Sequence, residues 1–196
     1  MVDAGEELQL VPLAEKLGVS PSSLYHHVNG RDGVIRAIRH VLIRTYVTGQ
    51  SPEVGTGSIA RDAEADWKSV IRREVERTWR MYAKHPQAMQ LLITVVIDDP
   101  DTLGFYERLT RTLLDAGLPD GEVLSTIEAI DAFSFGVALD ALSPRTVWQA
   151  EGASDGLAVL LDSHPTGAQR NRAVFEHGLE LLIDGISTRM RIPDDN

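Results

Sequence analysis

Apolar side chains along this chain recur mostly every three or four positions, with charged residues between them. That spacing puts the apolar residues on one face of an α-helix, whereas a half-buried strand would alternate apolar and polar residues. Alternating runs are few, and no Asn-Gly or Asp-Gly pair joins two such runs as in a β-hairpin. The pattern therefore predicts an all-α protein. The expected helices cover about 11–17, 21–27, 31–48, 59–84, 87–97, 101–116, 120–142 and 169–190, with a shorter helix at 155–162.

A stretch rich in glycine, proline and serine, at 51–58, interrupts the helical pattern. Such residues favour loops, so we expect a domain boundary there. It separates a small three-helix domain at 1–49 (the head) from a larger helical bundle at 59–196 (the body). The net charge of −10 is unevenly divided, because the head carries five basic and five acidic side chains and the other 147 residues carry 14 and 24. A neutral head permits nucleic-acid binding, although few cations are present to neutralise phosphates.

Several kinds of chemistry are excluded by composition and spacing. The chain has no cysteine, which excludes disulfides, thiolate metal sites and a cysteine nucleophile. No histidine pair has the spacing of a zinc-binding helix, and no phosphate loop or nucleophile elbow occurs, so we expect no metal, no cofactor and no enzymatic activity. The longest apolar run, at 91–97, is far below the roughly 20 residues of a membrane span. The first residues lack the basic and apolar regions of a signal peptide, so we expect a cytoplasmic protein.

The most informative segment lies at 13–28. Its leucines and valines are spaced for two short packed helices, and Val19 is expected to plug the turn between them into the core. Gly18 can adopt the left-handed conformation that turns the chain there. Ser20 is a good N-cap and Pro21 suits a first helical position, so a second helix starts at this point. This arrangement is typical of a helix-turn-helix motif, although other pairs of short helices share the pattern.

The second of these helices would present polar side chains outward from its first turns. In a helix-turn-helix, the reading helix lies in the major groove with its N-terminal residues on base edges. We therefore predict that serine and histidine side chains contact bases, while a tyrosine and an arginine reach the backbone. The candidate DNA-binding residues are Ser20 and Pro21 at the helix start, Ser22, Ser23, His26 and His27 for the bases, and Tyr25 and Arg31 for the phosphates.

The string Leu-Ala-x-x-Leu-Gly-Val-Ser-x-x-x-Leu-Tyr-x-His-Val-x-x-Arg-x-x-Val closely resembles the DNA-binding signature of the tetracycline repressor (TetR) family. The body resembles the tetracycline-repressor-like C-terminal domain in pattern, with Trp67 on a long helix and a final glycine-containing helix. The resemblance implies a transcriptional repressor that binds a palindromic double-stranded DNA operator. It also implies a homodimer formed through the helices at about 120–142 and 169–190, and release by an apolar small-molecule effector.

Two features depart from the family pattern. The family's first helix normally extends further upstream than the residues at 1–5, so this helix looks truncated, either by a start codon assigned too late or in a shortened form. The segment at 9–12 lacks the hydroxyl and basic residues that the family often places there, so DNA contacts from it are in doubt. The truncated first helix and the neutral head favour an alternative, a degenerate family member that binds a small molecule or a protein partner without an operator. The intact segment at 18–28 favours the repressor.

Two apolar stripes are candidates for the dimer interface that the resemblance implies. Both lie on helices that contain glycines, which would let helix axes approach closely at a cost of up to ~1 kcal/mol each in helix stability. The alternative is that both stripes form the core within one chain. The stripes consist of Val123, Ile127, Ile130 and Val137, and of Phe175, Leu179, Leu182, Ile186 and Met190.

An effector pocket is predicted along the helix at 59–84. At 100° per residue, Glu74 falls in the middle of an apolar stripe that contains Trp67, with Thr78 one turn further on. A buried carboxylate is costly unless it is paired. Three explanations are open: an ion pair with an arginine of another helix, such as Arg108 or Arg111; exposure through a gap; or a cavity in which Glu74 meets a ligand donor or cation. The predicted lining consists of Trp67, Ile71, Glu74, Thr78, Leu92, Val96, Phe105, Leu109, Phe133 and Val137.

Overall fold

The computed structural model describes residues 9–47, 66–149, 151–152 and 154–190. Every regular element in these ranges is a helix, so the predicted all-α class is confirmed. None of the described helices is long and apolar enough to cross a membrane. The helices are α1 (Leu10–Leu17), α2 (Pro21–His27), α3 (Gly30–Tyr46), α4 (Trp67–Lys84), α5 (Pro86–Leu92), α6 (Pro100–Asp115), α7 (Asp120–Asp140), α8 (Asp155–Ser163) and α9 (Gly167–Ser187).

Most described helix ends lie within three residues of their predicted positions, and the predicted helical segment at 59–65 lies outside the described residues. The helix predicted at 87–97 is wrong at its C-terminal end, because α5 stops at Leu92. The hydroxyl of Thr94 donates a hydrogen bond to the carbonyl of Leu91 at 2.7 Å, and the guanidinium of Arg39 donates one to the carbonyl of Leu92. The residues that follow α5 are β-branched, which lowers helix propensity further.

The chain divides into two compact units, which we describe separately. Unit 1 comprises residues 1–64 and 84–109, and unit 2 comprises residues 65–83 and 110–196. Unit 1 therefore includes α1 to α3 and α5, and unit 2 includes α7 to α9 and nearly all of α4. These units group the chain differently from the predicted head and body, because the segment after α4 belongs with the head. The predicted domain limits stay a prediction.

In unit 1, α3 contacts α5 through a buried cation as well as through apolar residues. Arg39 is only 4% exposed. Its guanidinium donates to the carbonyl oxygens of Leu92, Val95 and Val96, at 3.1, 2.7 and 2.8 Å. The last carbonyls of a helix have no partner within the helix. Arg39 therefore supplies a donor at the end of α5 and fixes the course of the chain after it.

An acidic segment, at 98–101, lies beside one side of α3. Three residues of α3 pair with it in order, the second and third lying three and four positions after the first: Arg36 with Asp98, Arg39 with Asp99 at 3.7 Å, and His40 Nδ1 with Asp101 at 3.3 Å. Asp99 also caps α6, since its carboxylate accepts from the N–H and hydroxyl of Thr102 at 2.9 and 2.7 Å. Burial raises the pKa of Asp99, but the hydrogen bonds from Thr102 and the charge of Arg39 outweigh it and hold that pKa below its ordinary value.

Unit 2 has an aromatic stack that joins three helices. Trp79 of α4 lies parallel to Phe175 of α9, with ring centroids 4.3 Å apart. Phe133 of α7 is nearly parallel to Phe175 at 6.1 Å. Phe133 comes so close to α9 that a Cβ on Gly178 would meet its ring at 2.4 Å. The absence of a side chain at Gly178 is therefore what lets α7 and α9 approach at this point.

A polar cluster fixes the C-terminal end of α7 to α9. Asp140 pairs with Arg170 at 2.8 Å and accepts from the side-chain amide of Asn171 at 3.2 Å. The same amide donates to the carbonyl of Val137 at 2.6 Å. Burial raises the pKa of Asp140, but hydrogen bonds from Asn171, Arg170 and Ser143, together with the charge of Arg170, lower it below its ordinary value.

Candidate functional site

The turn between α1 and α2 has the geometry predicted from its sequence. Gly18 adopts the left-handed conformation, with φ 68° and ψ 27°. The N–H of Val19 donates to the carbonyl of Ala14 at 3.0 Å, which closes the turn. The hydroxyl of Ser20 accepts from the N–H of Ser23 at 3.1 Å, and Pro21 is the first residue of α2. The two helices are thereby held in contact as a helix-turn-helix requires.

The packing of this motif differs from the prediction at two positions. Leu24 is buried at 8% exposure and Ala14 is fully buried, as the crossing of two short helices requires. Val19, however, is 42% exposed and Leu17 is 59% exposed. The prediction that Val19 plugs the turn into the core is wrong, because its backbone N–H, and not its side chain, makes the closing contact.

Three of the eight candidate DNA-binding side chains lie on the open face of α2. Ser22, His26 and His27 are exposed, and so is Arg31 in the first turn of α3. The side chain of Tyr25 lies outside the described residues. Ser20, Pro21 and Ser23 contribute mainly to the start of the helix, through the cap and the first helical position. One serine and two imidazoles along α2 are therefore accessible to a partner, and base recognition by a helix-turn-helix requires such accessible side chains.

The buried side of α4 agrees with the apolar stripe read from the sequence. Ile71, Glu74 and Thr78 are buried and Trp67 is half-buried. Trp79, which is 7% exposed, was missed because it lies about 120° from Trp67 around the helix, outside the predicted stripe. Its burial comes from stacking on Phe175, and only the tertiary contact between α4 and α9 reveals it.

Glu74 is paired, but not with the partner expected. Its side chain is 7% exposed, which excludes a solvent-facing position. Its Oε1 accepts from Arg73 Nε at 3.0 Å and from Arg77 Nη1 at 3.1 Å, so the arginines come from its own helix and the predicted pairing with Arg108 or Arg111 is wrong. Its Oε2 is buried, and no donor among the described residues reaches it. Of the three explanations, exposure through a gap is excluded, the paired arginines belong to α4 itself, and the cavity with a ligand donor stays a prediction.

The other predicted pocket residues are divided between the two units. In unit 1, Leu92, Phe105 and Leu109 are buried. Val96 is 73% exposed, which does not suit the wall of an enclosed pocket, because its carbonyl and not its side chain faces Arg39. In unit 2, Val137 is buried and Phe133 is half-buried against α9. Their assembly into one pocket stays a prediction.

Seven of the nine residues in the apolar stripes predicted for the dimer interface form the core within one chain, and Leu182 and Met190 are half-buried. Their members on α7, and Phe175, Leu179 and Ile186 on α9, are all between 2% and 7% exposed in the single chain. The prediction that these residues face a second subunit is therefore wrong. A different face of the same two helices is open. It carries Ala129 and Gly136 on α7, and Val174, Leu181 and Gly185 on α9.

These observations define an all-helical protein with an N-terminal helix-turn-helix whose second helix is open to a partner. In the described ranges, no three histidine, aspartate or glutamate side chains group as metal ligands would. Residues 60–190 match the family model of the tetracyclin repressor-like C-terminal domain. The chain belongs to the TetR family of transcriptional regulators.

The proteins and structures that resemble this chain match it over most of its length. The HTH-type transcriptional repressor DrrR1 of Streptomyces coeruleorubidus is 24% identical over 200 residues, covering 92% of this chain and 70% of that protein. ActR of Streptomyces coelicolor, solved in complex with actinorhodin, has a TM-score of 0.68 at 22% identity, covering 93% of this chain and 88% of that one. BioQ, solved with its double-stranded DNA operator, has a TM-score of 0.62 at 19% identity, covering 93% and 87%. The two structures show that the fold is shared.

Proposed function

We propose that this chain is a ligand-responsive repressor that binds a palindromic DNA operator as a homodimer and leaves it when an apolar small molecule binds to the body. The observation that carries the proposal is the capped, outward-facing α2. Its Ser22, His26 and His27 are exposed, while Leu24 on the opposite side is buried. Such a helix can enter the major groove with polar side chains on base edges. Acting on chromosomal DNA, the protein would work in the cytoplasm.

A homodimer is proposed through the open face of α7 and α9. One short reading helix gives little affinity, and a two-fold protein matches two half-sites of an operator. The open face carries Val174, Leu181 and Gly185 at steps of seven and four on α9, with Ala129 and Gly136 at a step of seven on α7. Small and apolar residues at such spacing permit close packing of helices from two subunits. This face replaces the stripes that the sequence suggested.

Effector binding is supported by the buried face of α4 and by the ligands of similar proteins. A protein must bind its effector better in the arrangement that does not fit DNA, so that the ligand shifts the equilibrium away from the operator. The buried Glu74 with an unsatisfied oxygen is a candidate contact for that ligand. ActR, which shares the fold, was solved with actinorhodin, an example of a small molecule bound by this kind of protein.

The alternative is a family member that binds a small molecule or a protein partner but no operator. The neutral charge of the head favours this alternative, because few cations are present to neutralise phosphates. Selection of fragments of the source genome on the immobilised full chain separates the two functions. The repressor is expected to enrich one or a few palindromic fragments, whereas the alternative enriches none.

Variants of α2 test whether the reading helix carries the binding. Replacing His26 or His27 with alanine is expected to weaken binding to the enriched fragment about tenfold or to relax its sequence preference, since one base contact contributes about 1–3 kcal/mol of discrimination. His164→Ala is the matched control, because this imidazole is also exposed but follows α8. Equal affinity of all three variants and the original chain would show that α2 does not read the operator.

A further inference from the structure

We propose that a small cavity at the start of α9 binds the carboxylate of an aromatic acid, with Arg145 and Arg170 as cationic contacts and Trp148 beside the aromatic ring. The cavity lies wholly within unit 2, where the chain after α7 and the end of α8 meet the start of α9. It shares no residue with the predicted effector pocket. The site therefore goes beyond the proposed function, and its test does not depend on an operator.

A glycine lets the chain after α7 lie against the start of α9. Gly167, the first residue of α9, has a left-handed φ of 57°, and its N–H donates to the carbonyl of Arg145 at 2.8 Å. A Cβ on Gly167 would lie only 3.3 Å from Cγ of Arg145. The Nε of Arg145 reaches the hydroxyl of Thr166 at 3.5 Å. The backbone of this segment therefore places the guanidinium of Arg145 beside the first turn of α9.

Arg170 supplies a buried donor that has no partner. This arginine is 7% exposed and lines the cavity. Its two Nη groups donate to Asp140, whereas its Nε is buried and reaches no acceptor among the described residues. A buried donor without an acceptor destabilises the free protein. A carboxylate oxygen in the cavity that accepts from this N–H removes the cost, so it is bound in preference to a group that cannot accept.

The charges around the cavity favour an anion. Asp140 balances the charge of Arg170, whereas Arg145 pairs with no carboxylate of the described residues, so these three side chains have an excess of one positive charge. No carboxylate among the described residues lines the cavity. The positive end of the α9 dipole lies here, and the first turn of α9 carries no acidic side chain. A bound carboxylate therefore meets a cation, an unused N–H group and a favourable helix dipole.

The size of the cavity determines which part of a ligand can enter it. Its volume is about 20 Å³. A single water molecule needs roughly 10–15 Å³, so an oxygen of a carboxylate fits and an aromatic ring does not. Trp148 and Pro165 also line the cavity, and Trp148 is 58% exposed. A flat ring outside the cavity can stack on this indole and remove apolar surface from water, which favours an aromatic acid over a simple anion.

Three probes on the full chain test this selection. The first is naphthoate, an aromatic anion; the second is naphthamide, which has the same rings and no charge; and the third is acetate, an anion without a ring. Dissociation constants come from calorimetry at neutral pH. We expect naphthoate to bind about tenfold more tightly than either of the others, because only naphthoate combines a charged acceptor with a ring that stacks on the indole.

Variants of the lining residues locate the site. Arg145→Gln removes an exposed charge, so the fold is retained, and naphthoate is expected to lose about tenfold in affinity. Arg170→Lys keeps a positive charge beside Asp140 but lacks the Nε donor, so it also weakens naphthoate. Should this buried variant fail to fold, Trp148→Ala gives a further measurement, because it weakens naphthoate and leaves acetate unchanged. Arg111→Gln is the matched control, since Arg111 is an exposed arginine of unit 2 that lies on α6.

Four results would overturn the inference: equal binding of naphthoate and naphthamide by the original chain, acetate bound as tightly as naphthoate, no binding of naphthoate up to its solubility, or an equal loss in Arg111→Gln and Arg145→Gln. The last result would show that only the overall charge of the protein acts. Selection of operator fragments is a separate measurement. Failure to capture an operator leaves this site intact, and failure of naphthoate to bind leaves the proposed repressor intact.

Discussion

Among the residues of unit 1 that the structure describes, Arg39 is the charged residue with the least exposure, at 4%. Arg39→Met removes three hydrogen bonds to the chain after α5 and leaves Asp99 without its cation. Removing one partner from a buried charged cluster costs about 2–4 kcal/mol, because the remaining groups lose both their partner and their hydration. We expect that loss in the free energy of unfolding, measured by urea denaturation of the full chain.

Arg36→Met is the matched control, because Arg36 pairs with the neighbouring Asp98 on the same side of α3. Both side chains of this pair are well exposed, at 38% and 50%. Exposed ion pairs contribute about 0–1 kcal/mol, since water and salt screen them. An Arg36→Met variant as unstable as Arg39→Met would contradict the conclusion that the buried contacts of Arg39 stabilise this segment more than the exposed ion pair does.

Asp140 gives the stability of unit 2 a dependence on pH. Its pKa is lowered from an ordinary value of 3.8, because hydrogen bonds from Asn171, Arg170 and Ser143 outweigh its burial. A carboxylate with a lowered folded-state pKa stabilises the protein above its unfolded-state pKa, and this contribution is lost as the pH falls through the folded-state value. Asp140→Asn is therefore expected to cost about 1 kcal/mol at neutral pH. The difference from the original chain should shrink as the pH falls below 3.8.

Urea denaturation at a series of pH values measures the effect of Asp140. Ser143→Ala removes one of the donors to this carboxylate, so its curve should fall between the other two. A free-energy difference for Asp140→Asn that stays constant from neutral to acidic pH would show that ionisation of Asp140 has no part in the stability of the α7–α9 junction.

At the scale of helices, Gly178 decides how closely α7 and α9 approach. A Cβ at this position would lie 2.4 and 2.5 Å from two ring atoms of Phe133, so the ring must shift and its stacking on Phe175 is disturbed. Alanine is the better helix former by ~1 kcal/mol, yet overpacking costs about 1–3 kcal/mol, so Gly178→Ala is expected to destabilise the protein. Gly104→Ala, where the nearest atom is an ordinary contact at 3.9 Å, should stabilise it instead. Thermal unfolding followed by circular dichroism shows whether each of the two variants is less or more stable than the original chain.

The helices themselves were largely predictable, because local periodicity and capping residues determine them. The start of α2 at Pro21 follows from Ser20 and proline alone, and the structure confirms it. The end of α5 was not predictable. It depends on Arg39, which is 53 residues away from Leu92 in the sequence. Which face of α7 and α9 is buried was also missed, because both helices carry apolar residues on more than one side, and only packing selects between them.

The candidate sites, like the helices, could be predicted from the sequence only in part. The helical rotation of 100° per residue predicted that Glu74 lies within a buried stripe, but it did not predict which residues pair with Glu74. Arg73 and Arg77 lie on the charged side of α4 by that same rule, and their long side chains reach round to the carboxylate. Side-chain reach of this kind is a property of rotamers and packing, which periodicity does not contain.

For the whole molecule, the uneven charge bears on how the protein meets DNA. The head is neutral and the remainder carries the entire excess of ten negative charges. Like charge repels the DNA backbone from the body, so approach is favoured only through the head. With few head cations available for the phosphates, affinity for an operator should depend more on base contacts and on two simultaneous half-sites. A single subunit would then bind poorly, which makes the proposed dimer necessary for function.

The open face of α7 and α9 can be tested through the mass of the particle in solution. Leu181, at the centre of this open face, is 60% exposed, so a charge at this position should not disturb the single subunit. In the dimer the same charge would be buried without a partner. Sedimentation equilibrium of the original chain is expected to give twice the chain mass of 21.5 kDa, and Leu181→Glu a single chain mass with its helical content retained. Val41→Glu is the control, because Val41 is equally exposed, at 61%, but lies on α3. A Leu181→Glu particle that keeps twice the chain mass would place the interface elsewhere, and an original chain that sediments as one copy would remove the dimer from the proposed function.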